Sequence, residues 1–462
     1  MATKYAKSQG PDFRNEIQRV AIIGAGGTVG KPIAQELIKT GKHTVTALTR
    51  AGSQSTLPEG IQTVPVDYDD KASLLRALEG QDALIITLPV TAAPDTQSKI
   101  IQAAAKAGVK YVMPNVWGCD VANDNLVNSG LGWERLRGAF DEIEKTGVSS
   151  WVSLICGFWY EHSVSLGPAT FGFNFAEKKM VLFDDGETKI NVSTPAQCGR
   201  AVAKLLSLKV LPEDENDRSV TLSRWLNKPV YISSFRITQK QMFQSWKRVT
   251  GEKNEDWTVA YESSRERYEK GLEGMQNGDH GAFVQAMYSR VLFPNGDGDY
   301  ESKHALANET LGLPQEDLDE LTRNAKFMDN IYVDMSWWTG TQSFQTLNLC
   351  TVTRIITVSL DIPISEPRIT IRFFALCELQ TDRDLLRIQT ALQGAHHPDS
   401  FRCLTIKLLT ETVPSISTAL CTMASTQSRT DCFCSGSFGL YITAWWKFPS
   451  PTCPRTLEKS PS

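Results

Sequence analysis

Residues 20–50 read VAIIGAGGTVGKPIAQELIKTGKHTVTALTR, and this stretch decides the fold class. A short apolar run, 20–23, is typical of a buried strand, and apolar residues at helical spacing follow Pro32. Four glycines separate the two patterns: Gly24, Gly26, Gly27 and Gly30. A strand, a glycine turn and a helix in this order predict the first βαβ unit of a dinucleotide-binding domain.

Each glycine of this turn has a specific expected role. Gly24 permits a tight turn, and a missing Cβ near Gly26 or Gly27 lets the backbone approach a pyrophosphate. Gly30 lets the helix pack closely on the strand, and the N–H groups of the helix N-terminus attract phosphate. A glycine turn without a ligand is the alternative. The predicted phosphate-binding residues are Gly24, Gly26, Gly27, Thr28, Val29 and Gly30.

The second apolar run, 44–49, ends in an arginine, Arg50. Sites that prefer NAD(H) usually end this strand with Asp or Glu, which binds the ribose 2′-hydroxyl. A guanidinium instead neutralises a 2′-phosphate and donates two hydrogen bonds to it. Arg50 therefore predicts NADP(H) as the cofactor, and the alternative is a solvated surface arginine.

Strand and helix patterns continue to alternate along the next hundred residues. This alternation predicts an α/β fold with a doubly wound parallel sheet. The expected strands are 61–66, 82–88, 109–113 and 148–155, and the expected helices are 71–79, 97–107 and 133–145.

Ligands bind such sheets beyond the carboxyl ends of the strands. Four residues in those positions are candidates for cofactor binding: Asp67 near the adenine, and Leu88, Pro89 and Asn115 toward the nicotinamide. Since Asp, Asn and Pro are common in turns, an ordinary loop role is the alternative.

The composition of the chain excludes several classes of protein. Its 462 residues are 41% hydrophobic and 22% charged, which is typical of a globular protein, and the net charge of −4 gives no basic field for nucleic acid. No run approaches the ~20 apolar residues of a membrane span, and the start MATKYAKSQG lacks the apolar centre of a secretory signal. We therefore expect a cytoplasmic protein. The ten cysteines contain no pair of CxxC motifs, so no zinc site is expected.

The order of GAGGTVG, LTR, VDYDD, GQDALIITLP and AAKAGVKYVMPNVWG resembles the NmrA-like and isoflavone-reductase-like branch of the atypical short-chain dehydrogenases, in its fungal form. The resemblance covers roughly residues 15–330. It implies a Rossmann domain over 15–156 that binds NADP(H), and a smaller α+β substrate domain over 157–335. Many members of this branch are reductases, and fungal members often act in secondary metabolism. Some members only sense the dinucleotide and regulate transcription factors.

One catalytic residue of the resembling family is missing. Isoflavone-reductase-like enzymes carry a lysine early in the helix that here reads WERLRGAFDEIEK, and the expected position falls at 135–137. Arg135 stays protonated and cannot serve as acid or base, although its fixed charge can stabilise an oxyanion. The YxxxK pair of short-chain dehydrogenases is also absent, so the catalytic machinery stays unassigned.

The segment 157–175, GFWYEHSVSLGPATFGFNF, is rich in aromatic residues. Trp159, Phe171 and Phe173 are candidates for lining an apolar substrate pocket. Tyr160 or His162 is a candidate proton donor. The alternative is that the aromatic residues form interdomain core and that the histidine is structural.

From about residue 336 the composition changes, because Ser and Thr increase, Lys almost vanishes and cysteines accumulate. One or two strands are expected over 351–374. The tail, 336–462, has three interpretations: a disordered segment, a small appended domain, or an incorrectly translated extension. We favour the third.

The leading hypothesis is an NADP(H)-dependent reductase of a small aromatic or polycyclic secondary metabolite. A non-catalytic NADP(H)-sensing regulator of the NmrA type is the main alternative, and a pathway scaffold or isomerase is a further one. The expected partner is a small-molecule substrate, with neither nucleic acid nor membrane, and the oligomeric state stays open.

Overall fold

The computed structural model describes residues 5–53, 55–89 and 91–329, together with seven strands further along the chain. Side chains are described up to residue 325, except at position 280. The chain divides into two compact units, Met1–Thr346 and Leu347–Ser462, and each is described by itself.

The first unit contains thirteen strands within its described residues. They are β1 (Arg19–Ile23), β2 (Thr44–Arg50), β3 (Gln62–Val66), β4 (Ala83–Ile86), β5 (Tyr111–Met113), β6 (Ser150–Ile155), β7 (Phe158–Trp159), β8 (Phe173–Asn174), β9 (Lys179–Phe183), β10 (Ile190–Ser193), β11 (Lys228–Tyr231), β12 (Phe235–Ile237) and β13 (Thr258–Glu262).

Eleven α-helices accompany these strands in the described part of the unit. They are α1 (Gly30–Lys39), α2 (Lys71–Leu78), α3 (Thr96–Lys106), α4 (Asp124–Val127), α5 (Trp133–Lys145), α6 (Tyr160–Ser165), α7 (Pro195–Leu206), α8 (Gln239–Thr250), α9 (Ser264–Gln276), α10 (His280–Val291) and α11 (Leu318–Asp329). Short 3-10 helices span Ala6–Ser8, Leu222–Trp225, Asn254–Asp256 and Tyr300–Ser302.

A seven-stranded parallel sheet forms the nucleotide-binding half, in the order β11-β6-β5-β4-β1-β2-β3. Its central strands are buried on both faces, whereas the edge strand β3 is largely exposed. Val20 and Ile22 of β1 pack into one core cluster with Ile33 of α1, whereas Ala21 and Ile23 pack into a second cluster on the other face. Burial on both faces explains the continuous apolar runs in the sequence. The predicted α/β fold with a doubly wound parallel sheet, the Rossmann arrangement, is therefore confirmed.

All six strands expected from the sequence are present, and the structure adds a seventh. Strand β11 pairs in parallel with β6 at the sheet edge, with Lys228 opposite Val152. It was not predicted, because it is short, contains Pro229 and lies far along the chain. Proline is confined to edge strands or bulges, so the edge position of β11 accommodates it.

Helix α7 joins the later part of the chain to the nucleotide-binding half. Thr194 caps it by accepting a hydrogen bond from the Gln197 N–H, and Pro195 occupies its first turn. Its close approach to α1 depends on Gly199, where a Cβ would stand 2.6 Å from the Pro32 carbonyl oxygen. The two helices therefore pack backbone against backbone.

Two small sheets and several helices form the remainder of the first unit. One sheet has the strand order β12-β10-β7 and the other β13-β9-β8. Their shared core is rich in aromatic side chains, including Phe171, Phe173, Phe183 and Trp246. This is the α+β arrangement expected after the nucleotide-binding sheet. The domain boundary between residues 156 and 157 stays a prediction.

In the second unit only strands are described. They are β14 (Thr353–Ile362), β15 (Ile369–Glu378), β16 (Leu386–Gln393), β17 (Cys403–Thr410), β18 (Ala419–Thr422), β19 (Cys432–Phe433) and β20 (Tyr441–Ile442). Strands β14 and β15 form an antiparallel pair near the predicted stretch 351–374. The three interpretations of 336–462 otherwise fall outside the described residues. Within the described helices, none has both the length and the hydropathy needed to span a bilayer.

Candidate functional site

The glycine turn after β1 is sterically closed on its inner side. Gly24 has a φ of 80°, and a Cβ there would stand 2.0 Å from the Thr87 carbonyl oxygen at the end of β4. A Cβ on Gly30 would stand 2.1 Å from the Gly24 carbonyl oxygen. Both positions therefore require glycine for α1 to start directly against the ends of β1 and β4.

The outer side of the same turn faces solvent. Gly27 and Thr28 are exposed at its tip, while the buried side chain of Val29 anchors it in the core. A Cβ on Gly27 would meet only the Gly24 carbonyl oxygen, at 3.3 Å, and helix α1 has no side-chain N-cap hydrogen bond. Open backbone at an uncapped helix N-terminus fits a pyrophosphate group.

Gly26 has a different neighbour. A Cβ on it would stand 2.9 Å from the Cβ of Ser55, so the loop after β2 lies against the glycine turn. Ser53 begins this loop, and its N–H donates to the Arg50 carbonyl oxygen at 3.0 Å. Arg50 and the turn therefore belong to one surface at the carboxyl edge of the sheet.

Arg50 is the last residue of β2, and its side chain is exposed. Among the described residues, no carboxylate lies within ion-pair distance of its guanidinium. Tyr68 is close enough to sense that charge: burial raises the pKa of Tyr68, and the positive charge of Arg50 opposes this rise. The guanidinium therefore lies between the ends of β2 and β3 with its hydrogen-bond donors available.

Asp67 follows β3 directly and is exposed. Its carboxylate accepts a hydrogen bond from the Asp69 N–H at 2.9 Å, and its own N–H donates to Ser73 Oγ at 3.2 Å. These bonds shape the loop between β3 and α2. Asp67 thus lies at the predicted edge of the sheet, and its proposed contact with the adenine stays a prediction.

Asn115 joins the loops after β4 and β5. Its Oδ1 accepts from the Leu88 N–H at 3.0 Å, and its Nδ2 donates to the Leu88 carbonyl oxygen at 3.2 Å. Its own N–H donates to Gln97 Oε1 at 2.7 Å. Because these bonds use both ends of the amide, Asn115 shapes the crevice by fixing Leu88 and the exposed Pro89 beside it.

Arg135 and Arg137, which lie where the family lysine is expected, have different environments. Arg135 is exposed, and no ion pair or side-chain hydrogen bond is formed by it within the described part of the chain. Arg137 donates from Nε to the Val121 carbonyl oxygen at 2.8 Å and from Nη1 to Asp124 at 2.6 Å. Arg137 therefore holds the loop before α5, and only Arg135 keeps a free charge.

Tyr160 lies in the core of the second half. Its side chain is fully buried, and its hydroxyl shares a 2.7 Å hydrogen bond with Thr322, which also bonds Ser245. Burial raises the pKa of this hydroxyl well above 10. This position argues against the proton-donor role suggested by the sequence and indicates a structural one.

His162 is mostly buried beside Trp159, with ring centroids 5.9 Å apart. Burial lowers the pKa of His162 from 6.5 to about 4, so the imidazole is neutral at physiological pH. A neutral imidazole with this pKa is a poor proton donor near pH 7. The structure therefore favours the alternative reading, a structural histidine.

Phe171 and Phe173 are both fully buried in the aromatic core. Phe171 packs edge-on against Tyr288, and Phe173 packs edge-on against Trp257. Their rings are enclosed by other aromatic side chains, which argues against the substrate-lining role suggested by the sequence. Trp159 differs, because it is only partly buried and packs against the core cluster beneath the glycine turn.

Two features of this region were not found from the sequence. Glu161 has a carboxylate oxygen closed off from solvent, and burial raises the pKa of this side chain from 4.5 to about 7. A groove of about 430 Å³ lies beside β12 and α8, with Ser234, Phe235, Gln244 and Leu318 among its lining residues. Glu161 lies between Tyr160 and His162, the two proton donors suggested by the sequence. No local sequence pattern indicates that its side chain is buried.

Comparisons with known proteins agree with this architecture. Residues 16–206 match the model of the NmrA-like family. The oxidoreductase aprR of Aspergillus flavus is 26% identical over 307 residues, which cover 66% of this chain and 97% of the relative.

Two solved structures have a similar fold. An isoflavone reductase superimposes with a TM-score of 0.52 at 23% identity, covering 67% of this chain and 99% of the other. A leucoanthocyanidin reductase of Vitis vinifera, solved with NADPH, gives a TM-score of 0.53 at 15% identity, covering 66% and 99%. The resemblance predicted from the sequence motifs is therefore confirmed, because residues 16–206 of this chain match the model of the NmrA-like family.

Proposed function

We propose that the protein is an NADP(H)-dependent reductase of a small aromatic or polycyclic compound of secondary metabolism. The observation that carries this proposal is the exposed guanidinium of Arg50 beside the open tip of the glycine turn. The oxidoreductase relative in Aspergillus flavus and the NADPH complex of a reductase with the same fold support it.

The phosphates of the cofactor define the roles of the residues at the crevice. The backbone of Gly27 and Thr28, at the start of α1, binds the pyrophosphate. Arg50 binds the 2′-phosphate, because a guanidinium pairs with phosphate through two parallel hydrogen bonds. A carboxylate at this position would repel that phosphate. Bound NADPH supplies the hydride for the reduction.

The substrate side of the crevice is formed by the segment after β6. Trp159 offers a partly exposed aromatic face just after the carboxyl end of β6. The groove lies beside β12, and β10 separates β12 from β7 in the same three-stranded sheet, so these two strands are about 10 Å apart. Its volume of about 430 Å³ is within the usual range for small-molecule sites. We propose that a flat aromatic substrate extends between these two surfaces.

Exchanging Arg50 for glutamate tests the cofactor assignment. Arg50→Glu should weaken NADPH binding at least 100-fold, measured by quenching of tryptophan fluorescence, and should change NADH binding less than threefold. Arg14→Glu, before the opposite end of β1, is the matched control and should change neither affinity. Equal losses for both cofactors in Arg50→Glu would refute the 2′-phosphate contact.

A non-catalytic NADP(H) sensor is the second candidate function. Its support is the absent family lysine, since Arg135 cannot exchange protons and Arg137 is fixed on the loop before α5. NADPH oxidation measured across a panel of aromatic ketones, quinones and metabolite extracts separates the two functions. Tight NADPH binding without turnover of any compound would establish the sensor and refute the reductase.

A further inference from the structure

Three polar side-chain atoms in the segment after β6 and on the strand beside it are buried without a hydrogen-bond partner among the described residues. They are Trp159 Nε1, Glu161 Oε2 and Ser193 Oγ. Leaving such a group unsatisfied costs about 1–3 kcal/mol, so each one in a native protein calls for an explanation, such as a catalytic role. Ser193 is fully buried. These three groups, which we call the polar recess, are therefore candidates for binding a substrate.

The chain places the polar recess just after the carboxyl end of β6, at the edge of the parallel sheet that also carries the glycine turn. Strand β7 follows the carboxyl end of β6 and pairs in parallel with β10, so Trp159 and Ser193 are register partners. Register partners in a parallel pair project from the same face of the sheet. Trp159 packs against the core cluster that contains Ala25 and Val29 of the glycine turn. Glu161 follows two residues later, at the start of α6.

Glu161 differs from the charged groups around it. Glu316 and Arg200 form an ion pair, and Glu316 also accepts hydrogen bonds from Thr194 and Ser234. The carboxylate of Glu316 is therefore fully engaged, whereas Oε2 of Glu161 has no partner within the described chain.

Two further groups sense the charge of Glu161, the thiol of Cys198 and the hydroxyl of Tyr160. Both are buried. A hydrogen bond with Cys156, together with burial, raises the pKa of the Cys198 thiol, and burial raises the pKa of the Tyr160 hydroxyl, so both stay neutral near pH 7. Burial, with a smaller contribution from Glu316, raises the pKa of Glu161 to about 7, and Arg200 opposes this rise. Near neutral pH the side chain therefore alternates between protonated and ionised forms.

We propose that Glu161 is the catalytic acid of the reductase, and that Trp159 and Ser193 donate hydrogen bonds to the same substrate oxygen. The substrate class is then an aromatic ketone or quinone, because a carbonyl oxygen can accept hydrogen bonds from these three groups, none of which has a partner within the described chain. This inference rests on the proposed reductase function.

The reaction balances with the groups named. NADPH transfers a hydride to the carbonyl carbon, and the π electrons of the C=O bond move to oxygen. Glu161 gives its proton to that oxygen, which leaves an alcohol or a hydroquinone, NADP⁺ and a glutamate carboxylate. The partly exposed side chain then takes a proton from solvent. The N–H of Trp159 and the O–H of Ser193 stabilise the developing negative charge.

The two residues next to Glu161 are poorly suited to donate a proton. Tyr160 is held in the core by Thr322, and the imidazole of His162 is neutral near pH 7. A general acid works best when its pKa lies near the working pH. Among the three adjacent residues, only Glu161 meets that condition.

The test uses the full chain, NADPH and 9,10-phenanthrenequinone as the probe substrate. Glu161→Gln should lower kcat at least 100-fold, the usual contribution of a general acid, and should leave the Kd for NADPH within twofold. The fall of wild-type kcat above pH 7 should be absent in the residual activity of the variant. Glu309→Gln, an exposed control, should match the wild type. Unchanged kcat in Glu161→Gln, with an unchanged pH profile, would overturn the proposal.

A second measurement does not require turnover. Infrared difference spectra of the wild-type NADP⁺ complex, recorded one pH unit below and above neutrality, should show a protonated carboxyl band that Glu161→Gln lacks. Adding the probe should shift this band, because the carboxyl group would donate to the quinone oxygen. A missing band, or one that the probe leaves unchanged, overturns the role of Glu161. A wild-type protein that binds no NADPH instead refutes the proposed function, and fluorescence titration detects that outcome separately.

Discussion

Gly30 lies directly against the carbonyl oxygen of Gly24, and a methyl group at residue 30 would stand only 2.1 Å from that oxygen. We predict that Gly30→Ala costs about 1–3 kcal/mol in the free energy of unfolding, because α1 must move away from β1. The Kd for NADPH should rise at least tenfold, since the phosphate-binding turn moves with the helix. Urea unfolding and fluorescence titration measure the two effects.

Gly138→Ala is the matched control for this substitution. Gly138 lies within α5, and a Cβ there meets no atom within 4 Å. Alanine is favoured over glycine in a helix by about 1 kcal/mol, so this variant should be slightly more stable than the wild type. A similar destabilisation in both variants would contradict the steric argument for Gly30.

Glu161 and His162 should give opposite pH dependences of stability. Between about pH 4.5 and 7, Glu161 is protonated in the folded protein and ionised in the unfolded chain. Its contribution to the free energy of unfolding is therefore lost as pH rises through this range. Between pH 6.5 and about 4, His162 is protonated in the unfolded chain and neutral in the folded protein. Its contribution to the free energy of unfolding is therefore lost as pH falls through this range. Each shift corresponds to about 3 kcal/mol, and in the wild type the two should nearly cancel.

Single variants should separate these two effects. In Glu161→Gln only the histidine acts, so the free energy of unfolding should decrease as pH falls from 6.5 to 4.5. In His162→Gln only the glutamate acts, so the free energy should increase over the same change. Urea unfolding at several pH values measures both slopes, and parallel curves for the two variants would disprove the assignment.

The ion pair between Arg290 and Asp297 is buried, with a distance of 2.8 Å and side-chain exposures of 7% and 2%. Asp297 also accepts hydrogen bonds from Asn123 and Asn295. Asp297→Asn leaves a buried guanidinium without its counter-charge, so we expect a loss of about 3–5 kcal/mol in stability. Glu36→Gln, which breaks the exposed pair with Lys39, should leave the unfolding midpoint unchanged.

Asn115→Ala removes both side-chain hydrogen bonds to Leu88. We expect stability to fall by about 2 kcal/mol, at about 1 kcal/mol for each bond, and NADPH affinity to fall several-fold because the loop after β4 loosens. Asn128→Ala, an exposed change, is the control for both measurements. Full cofactor affinity in Asn115→Ala would show that Leu88 is held by other contacts.

The sequence was sufficient to predict the main sheet because its central strands are buried on both faces. The run from Val20 to Ile23 contains no polar residue and is followed by a turn and a helix. The glycine turn could also be predicted, since close backbone contacts at the start of α1 require glycine at Gly24 and Gly30. Strand β11 could not be read in this way, because its pairing with β6 depends on contacts far apart in the chain.

The candidate site was predicted less completely than the sheet. The sequence of residues 157–175 is rich in aromatic residues, but it does not show which of these side chains are buried. Phe171 and Phe173 turn into the core, whereas Trp159 keeps partial exposure. The pKa of Glu161 is raised because the folded chain buries its carboxyl group. The residues next to it in the sequence do not indicate this burial, so it could not be predicted.

The pairing of β11 with β6 has a consequence for synthesis of the protein. The ribosome completes β6 long before β11 emerges, and the elements from β7 to α7 are translated in between. During that interval β6 is an unpaired edge strand, and strands of other nascent chains can pair with it. Truncation after α7 should therefore yield insoluble material rather than a small nucleotide-binding protein, although the matched family segment ends there.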